Sequence, residues 1–237
     1  MSSDNIIMLN DVWKKYSKEA IFHRSLREDL SNLIKKGFSR NNGQLKKNEF
    51  WALKGINLEV KRGETIALYG PNGAGKSTIL KLIANVTYPT KGDIKVYGRV
   101  APLIEVGAGF HPDLTGRENV FINGAILGMK IEEIKKKMNS IIEFSELKDF
   151  IDMPVKKYSS GMYLRLGFSV AIHSDTDIFL IDEILAVGDD DFKNKCINKI
   201  YELKNKQKTI VFVSHNKELV DSIADKIFFI RQGELIY

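Results

Sequence analysis

The 237 residues are 43% hydrophobic and 28% charged, which supplies ample side chain for a packed core and excludes a disordered chain. Lys+Arg number 36 against 30 Asp+Glu, a net charge of +6. That excess suits nucleic acid, an anionic membrane surface or a phosphate-rich ligand, and equally a lysine-rich solvated surface.

No window of about 18 residues is continuously apolar, so no membrane-spanning helix is expected. The start, MSSDNII, lacks a basic region followed by an apolar stretch and is not a secretory signal. The single cysteine, Cys196, excludes an internal disulfide and a cysteine-cluster metal site. Together these features point to the cytosol.

Ile6 to Leu9 reads as a short strand and is followed by VWKKY. From about residue 17 to 48 the texture changes. Phe22, Leu26, Leu30, Leu33 and Ile34 recur at helical spacing among Arg24, Arg27, Lys35 and Lys36. This basic amphipathic insertion suits a helix at a membrane surface or against a membrane partner. It suits equally a helix packed on its own domain with a solvated basic face. FWALKGINLEV then has strand character, KRGE is a turn, and TIALYG is a short buried strand before the helix STILKLIANV.

The stretch from about 106 to 174 reads as mostly helical, with Ile131, Ile134, Met138, Ile141 and Ile142 on one helix face. DIFLID and TIVFVS are buried strands. Helices run through Lys193 to Lys206 and KELVDSIADK, and KIFFI-RQG-ELIY closes as a hairpin. Strands alternating with helices predict an α/β sheet core, mainly parallel at its centre.

Gly70, Pro71, Asn72, Gly73, Ala74, Gly75, Lys76 and Ser77 match G-x-x-x-x-G-K-[ST], between a strand and a helix. Glycines let successive N–H groups point at one phosphate, and the helix amino terminus adds favourable partial charge. Lys76 is placed to bridge the β- and γ-phosphates of ATP, Ser77 to ligate Mg²⁺, and Thr78 to add a phosphate contact.

The strand Ile178 to Ile181 ends in Asp182 and Glu183. Asp182 can hold Mg²⁺ through water, and Glu183 can polarise the attacking water as general base. His215, at the end of TIVFVS, can contact the γ-phosphate and orient that water. Ser159, Ser160 and Gly161 precede the helix YLRLGFSVAIHS. They read as a second anion-binding surface or as an ordinary helix cap.

GPNGAGKST, YSSGMYLRLGFSVA before DIFLIDE, and the downstream VSH resemble the nucleotide-binding subunit of an ATP-binding-cassette (ABC) transporter. The resemblance covers about residues 50 to 237. It implies an α/β P-loop NTPase fold: a RecA-like mixed-sheet core, an antiparallel β edge and an inserted helical subdomain. The core would comprise 1–105 and 175–237, and the helical subdomain 106–174, in a single nucleotide-binding domain without a carboxyl-terminal carbohydrate-binding domain.

By the same resemblance, Ser159 to Gly161 form the signature motif, which contacts the γ-phosphate held by the other copy of a head-to-tail dimer. Ser160 replaces the usual first glycine and Met162 the usual glutamine. Glu105 stands where a metal-proximal glutamine is usual; a carboxylate can ligate Mg²⁺ but cannot donate a hydrogen bond as an amide does. Asp189 falls at the D-loop aspartate. An aromatic residue stacks on adenine in this family, and Tyr16 matches best, with Trp13 second; an aromatic packed under the first strand is the plainer reading.

LIEVGAGFHPDLTGREN and DEILAVGD are similar to one branch, the ATPase subunits that export bacterial surface polysaccharides. The implied assembly is a homodimer beneath a separate transmembrane permease, present in two copies, at the cytoplasmic face of the inner membrane. No nucleic-acid partner is expected. The alternatives are an ABC ATPase acting on nucleic acid or ribosomes, and an exporter of another substrate.

Overall fold

The computed structural model describes residues 4–17, 48–104, 106–183 and 189–236. The expected basic amphipathic helix and Glu105 lie outside the described residues.

Two long strands begin the fold. β1 (Asn5–Ser17) and β2 (Glu49–Lys61) pair antiparallel, and β4 (Lys91–Val96) flanks β1 on the other side. Ile7, Leu9 and Val12 of β1 and Ile56, Leu58 and Val60 of β2 are buried. Leu9 and Val12 are three apart, which strict alternation would send to opposite faces. A register shift between them, with Asp11 at φ 45°, returns Val12 to the core.

The second sheet has the order β5-β6-β7-β3-β8-β9. β5 (Val100–Leu103), β6 (Ile178–Asp182), β7 (Thr209–Val213), β3 (Thr65–Tyr69) and β8 (Lys226–Arg231) run parallel, and β9 (Glu234–Ile236) closes the edge antiparallel. TIALY, IFLID and TIVFV are near-continuous apolar runs because parallel strands covered on both faces have no wet side. Val213 pairs with both Leu68 and Asp182. The residues that follow β3, β6 and β7 therefore emerge together at the carboxyl end of the sheet.

α1 (Lys76–Ile83) buries Ile79, Leu80 and Ile83 between the two sheets. On the opposite face, α5 (Asp190–Asn205) and α6 (Lys217–Ile223) bury Phe192, Ile200, Val220 and Ile223 against Phe179 and Phe212. α2 (Gly116–Ile126), α3 (Ile131–Ser145) and α4 (Ser160–His173) lie in chain order between β5 and β6. α4 joins them to the core. Leu166 and Val170 pack with α2 and α3 residues, while Phe168 and Ile172 pack into the sheet cluster.

The α/β reading holds, as do the antiparallel sheet and the closing hairpin. Ile131 departs from the expected apolar face: it is 62% exposed, whereas Ile134, Met138, Ile141 and Ile142 are buried. It is the first residue of α3 and has no preceding turn to pack beneath. The helix expected through KELVDSIADK stops at Ile223, because the Asp225 carboxylate turns to accept from the Thr65 N–H. β4 and β5 carry no sequence signal of their own.

Candidate nucleotide-binding site

The phosphate loop leaves β3 at Tyr69 and enters α1 at Lys76. Gly75 is the N-cap of α1 at φ 113°. A Cβ there would lie 2.6 Å from Leu53 Cδ2 and 2.8 Å from the Ala52 carbonyl oxygen, so only glycine lets the loop pass this close to β2. The loop is also braced by the Gly233 N–H, which donates to the Ala74 carbonyl at 2.9 Å. Lys76 is buried, and its ammonium donates to the Gly70 and Pro71 carbonyls at 2.7 and 2.9 Å. Its charge is thus held inside the curve of the loop.

Asn72, Gly73, Gly75, Lys76, Ser77 and Thr78 line a cleft of about 640 Å³ together with Asp182 and Glu183. The exposed Ser77 hydroxyl and the Asp182 carboxylate are hard oxygen donors lining the same cleft. They fit Mg²⁺, which takes one or two protein oxygens and completes its shell with phosphate and water. Among the described residues no group of three His, Cys, Asp or Glu could hold a metal ion.

Glu183 follows β6 at φ 44°, with its N–H bound to the Val213 carbonyl. This turn aims the side chain at His215, whose Nε2 is in close contact with Glu183 Oε1. The two strand ends therefore deliver a carboxylate and an imidazole to one point, the arrangement that moves a proton.

Tyr16 lines the same cleft. Trp13 is directed elsewhere: it packs edge-on against Trp51 at 5.3 Å, and its indole N–H donates to Asp11. Tyr16 thus lines the cleft and Trp13 is not among its lining residues. The structure adds a residue that the sequence reading missed. Phe50 is the cross-strand partner of Tyr16, its ring lies 6.2 Å away, and it lines the same cleft. The only signal was the pairing of VWKKY with EFW, which spans 34 positions.

Ser159, Ser160 and Gly161 are not among the residues lining this cleft. Ser159 caps α4, its Oγ accepting from the Met162 N–H at 3.2 Å. Ser159 and Ser160 are exposed, and a Cβ on Gly161 would meet nothing nearer than 3.9 Å. The cap reading is therefore realised, and the helix amino terminus faces outward. Asp189 caps α5 by accepting from the Phe192 N–H at 3.0 Å, and it pairs with Arg165 of α4 at 2.7 Å. The capped N–H, with Arg165 behind it, holds the Asp189 carboxyl below the usual carboxylate range. No helix among the described residues is long and apolar enough to cross a membrane.

The ABC transporter family profile matches residues 53–186. An O-antigen export system ATP-binding protein, RfbB of Klebsiella pneumoniae, is 51% identical over 191 residues, covering 81% of this chain and 78% of the relative. RfbB of Myxococcus xanthus is 45% identical over 233 residues, 98% of this chain but 52% of that relative. A teichoic acids export ATP-binding protein, TagH of Enterococcus faecalis, is 49% identical over 186 residues, 78% of this chain and 41% of the relative. A dimeric ATP-binding cassette solved in a post-hydrolysis state with ADP and Pi superimposes with a TM-score of 0.75 at 22% identity, covering 98% of this chain and 97% of that one. The resemblance read from the motifs is thereby borne out: the chain belongs to the ABC transporter family as its nucleotide-binding cassette.

Proposed function

We propose that the chain is the ATP-hydrolysing subunit of an exporter. Two copies close on two ATP molecules and drive a separate transmembrane permease, from the cytoplasmic face of the membrane. The cargo is a lipid-linked surface polysaccharide of the O-antigen, teichoic-acid or capsule type. The relatives named above support the cargo and the permease.

One observation carries the enzymatic part. The phosphate loop, two carboxylates and an aromatic pair, from four separate stretches of chain, line one cleft. In it, loop N–H groups and the α1 amino terminus bind the phosphates, and Lys76 turns from its two carbonyls to the β- and γ-oxygens. Tyr16 and Phe50 take the base. Ser77 and Asp182 hold Mg²⁺, which neutralises charge on the transferring phosphoryl group. Glu183 accepts the proton of the attacking water, and His215 holds Glu183 and the γ-phosphate in register. The outward amino terminus of α4 supports a composite site, in which Ser159 to Gly161 of one copy close over the γ-phosphate of the next. Asp189 fixes the start of α5 beside that junction.

The test is phosphate release by the purified chain with Mg²⁺ and ATP, against Lys76→Ala as control. Release that Lys76→Ala abolishes is expected, and release indifferent to that substitution contradicts the assignment. For the cargo, deletion in the native host is expected to strip the surface polymer, with rescue by the parent gene but not by Lys76→Ala.

A further inference from the structure

The residue four positions after Ser159 is Tyr163, and its N–H donates to the Ser159 carbonyl at 3.0 Å, in the first turn of α4. Its hydroxyl donates to the Gly107 carbonyl at 2.8 Å. Its ring meets Phe110 edge-on at 4.9 Å. The fit at Gly107 is tight. That residue has φ 81°, and a Cβ on it would lie 2.3 Å from Tyr163 Cε1. One turn later, a Cβ on Gly167 would lie 2.6 Å from the Gly107 nitrogen. The segment 106–110 is therefore seated on α4 at two successive turns. From the other side, Asn123 donates to the Ala108 carbonyl at 2.9 Å.

The same segment forms a wall of an apolar groove of about 90 Å³, completed by Ile104, Ile126 and Leu127. Ile126 is 62% exposed at its mouth. Anything that displaces Val106 to Ala108 thus pulls on the first turn of α4 through one side chain. Burial holds the Tyr163 phenol above its ordinary pKa, so it remains a hydrogen-bond donor across the physiological range.

We propose that Tyr163 is a positioning residue that ties segment 106–110 to the amino terminus of α4, so that the presentation of Ser159 to Gly161 to a second copy follows the position of that segment. This rests on the reading of Ser159 to Gly161 as the contact made in trans. Tyr163 touches neither nucleotide nor reacting atoms. It sets the angle at which α4 meets the partner's γ-phosphate.

Tyr163→Phe removes the hydroxyl and keeps the ring against Gly107 and Phe110. The Gly107 carbonyl retains the Phe110 N–H at 3.0 Å, so no buried group is left unpaired and the fold is preserved. In a Glu183→Gln background, ATP-driven dimerisation followed by light scattering is expected to weaken about fivefold, the effect of one neutral hydrogen bond. ATP affinity of the monomer is expected to stay within about twofold, and the melting temperature within about 4 °C. With Glu183 intact, kcat falls while KM holds, a split that a general loss of packing does not give.

Equal dimerisation of Tyr163→Phe and its parent overturns the tyrosine assignment alone. A parallel loss of monomer ATP affinity also overturns it, since the residue would then act on the nucleotide pocket. A Glu183→Gln parent that binds ATP yet stays monomeric overturns the trans reading, and the proposal falls with it.

Discussion

Glu183→Gln separates chemistry from folding at this site. The substitution keeps the shape of the side chain and removes its basicity. Its stability cost follows from exposure. The Glu183 and His215 side chains are 51% and 46% exposed, so their pair contributes only about 0–1 kcal/mol. The melting temperature should therefore move by no more than about 2–4 °C. The left-handed backbone at residue 183 is as accessible to glutamine as to glutamate. Catalysis should respond far more strongly. A positioned general base is worth about 10²–10⁴ in rate, or roughly 2.7–5.4 kcal/mol of barrier. Phosphate release should fall by that factor while ATP affinity, measured by equilibrium dialysis, is unchanged. Turnover within tenfold of the parent would refute the base assignment. Loss of ATP binding would place Glu183 in the binding machinery instead.

Three further outcomes follow from the structure. Tyr16→Ala and Phe50→Ala should each weaken ATP binding about 5- to 100-fold, the range for loss of one stacking partner. Trp13→Ala should leave it unchanged in the same titration, and binding of inorganic tripolyphosphate should be indifferent to all three. Gly75→Ala should abolish ATP binding with the core intact by circular dichroism, because its Cβ meets the Ala52 carbonyl at 2.8 Å. Burial lowers the His173 pKa below 6.5, helped by Lys199 and Lys137 and opposed by the Ser169 carbonyl and Glu202. The neutral ring then contributes stability that is complete above about pH 6.5 and is lost as pH falls through the lowered value. Urea midpoints between pH 8 and 5 should decline, with a shallower slope in His173→Gln; equal slopes contradict this.

What could be read from the sequence tracks how locally each feature is encoded. The phosphate loop was legible because its parts are contiguous, and Gly75 and Lys76 do their work within one turn of chain. The strands TIALY, IFLID and TIVFV were legible because burial on both faces leaves uninterrupted apolar runs. Ser159 was legible as a cap, since Ser before an apolar helix satisfies its own first turn. KGDIKV was not legible as β4, because it is half exposed and gains its structure from pairing with β1. Phe50 escaped because its place beside Tyr16 depends on cross-strand register rather than on any motif. The contact between Tyr163 and Gly107 joins residues 56 positions apart, and each looks unremarkable alone. Ile131 matched the helical period yet stayed exposed, since periodicity fixes a face and not where along it the packing begins.

Nucleotide held between two chains requires that binding and pairing be separable. Light scattering of the Glu183→Gln chain should show its mass doubling with ATP and not with ADP, and Ser159→Phe should block the doubling while ATP still binds to the monomer. A chain that keeps its mass with ATP bound, or a Ser159→Phe variant that pairs as well as its parent, would contradict the shared site.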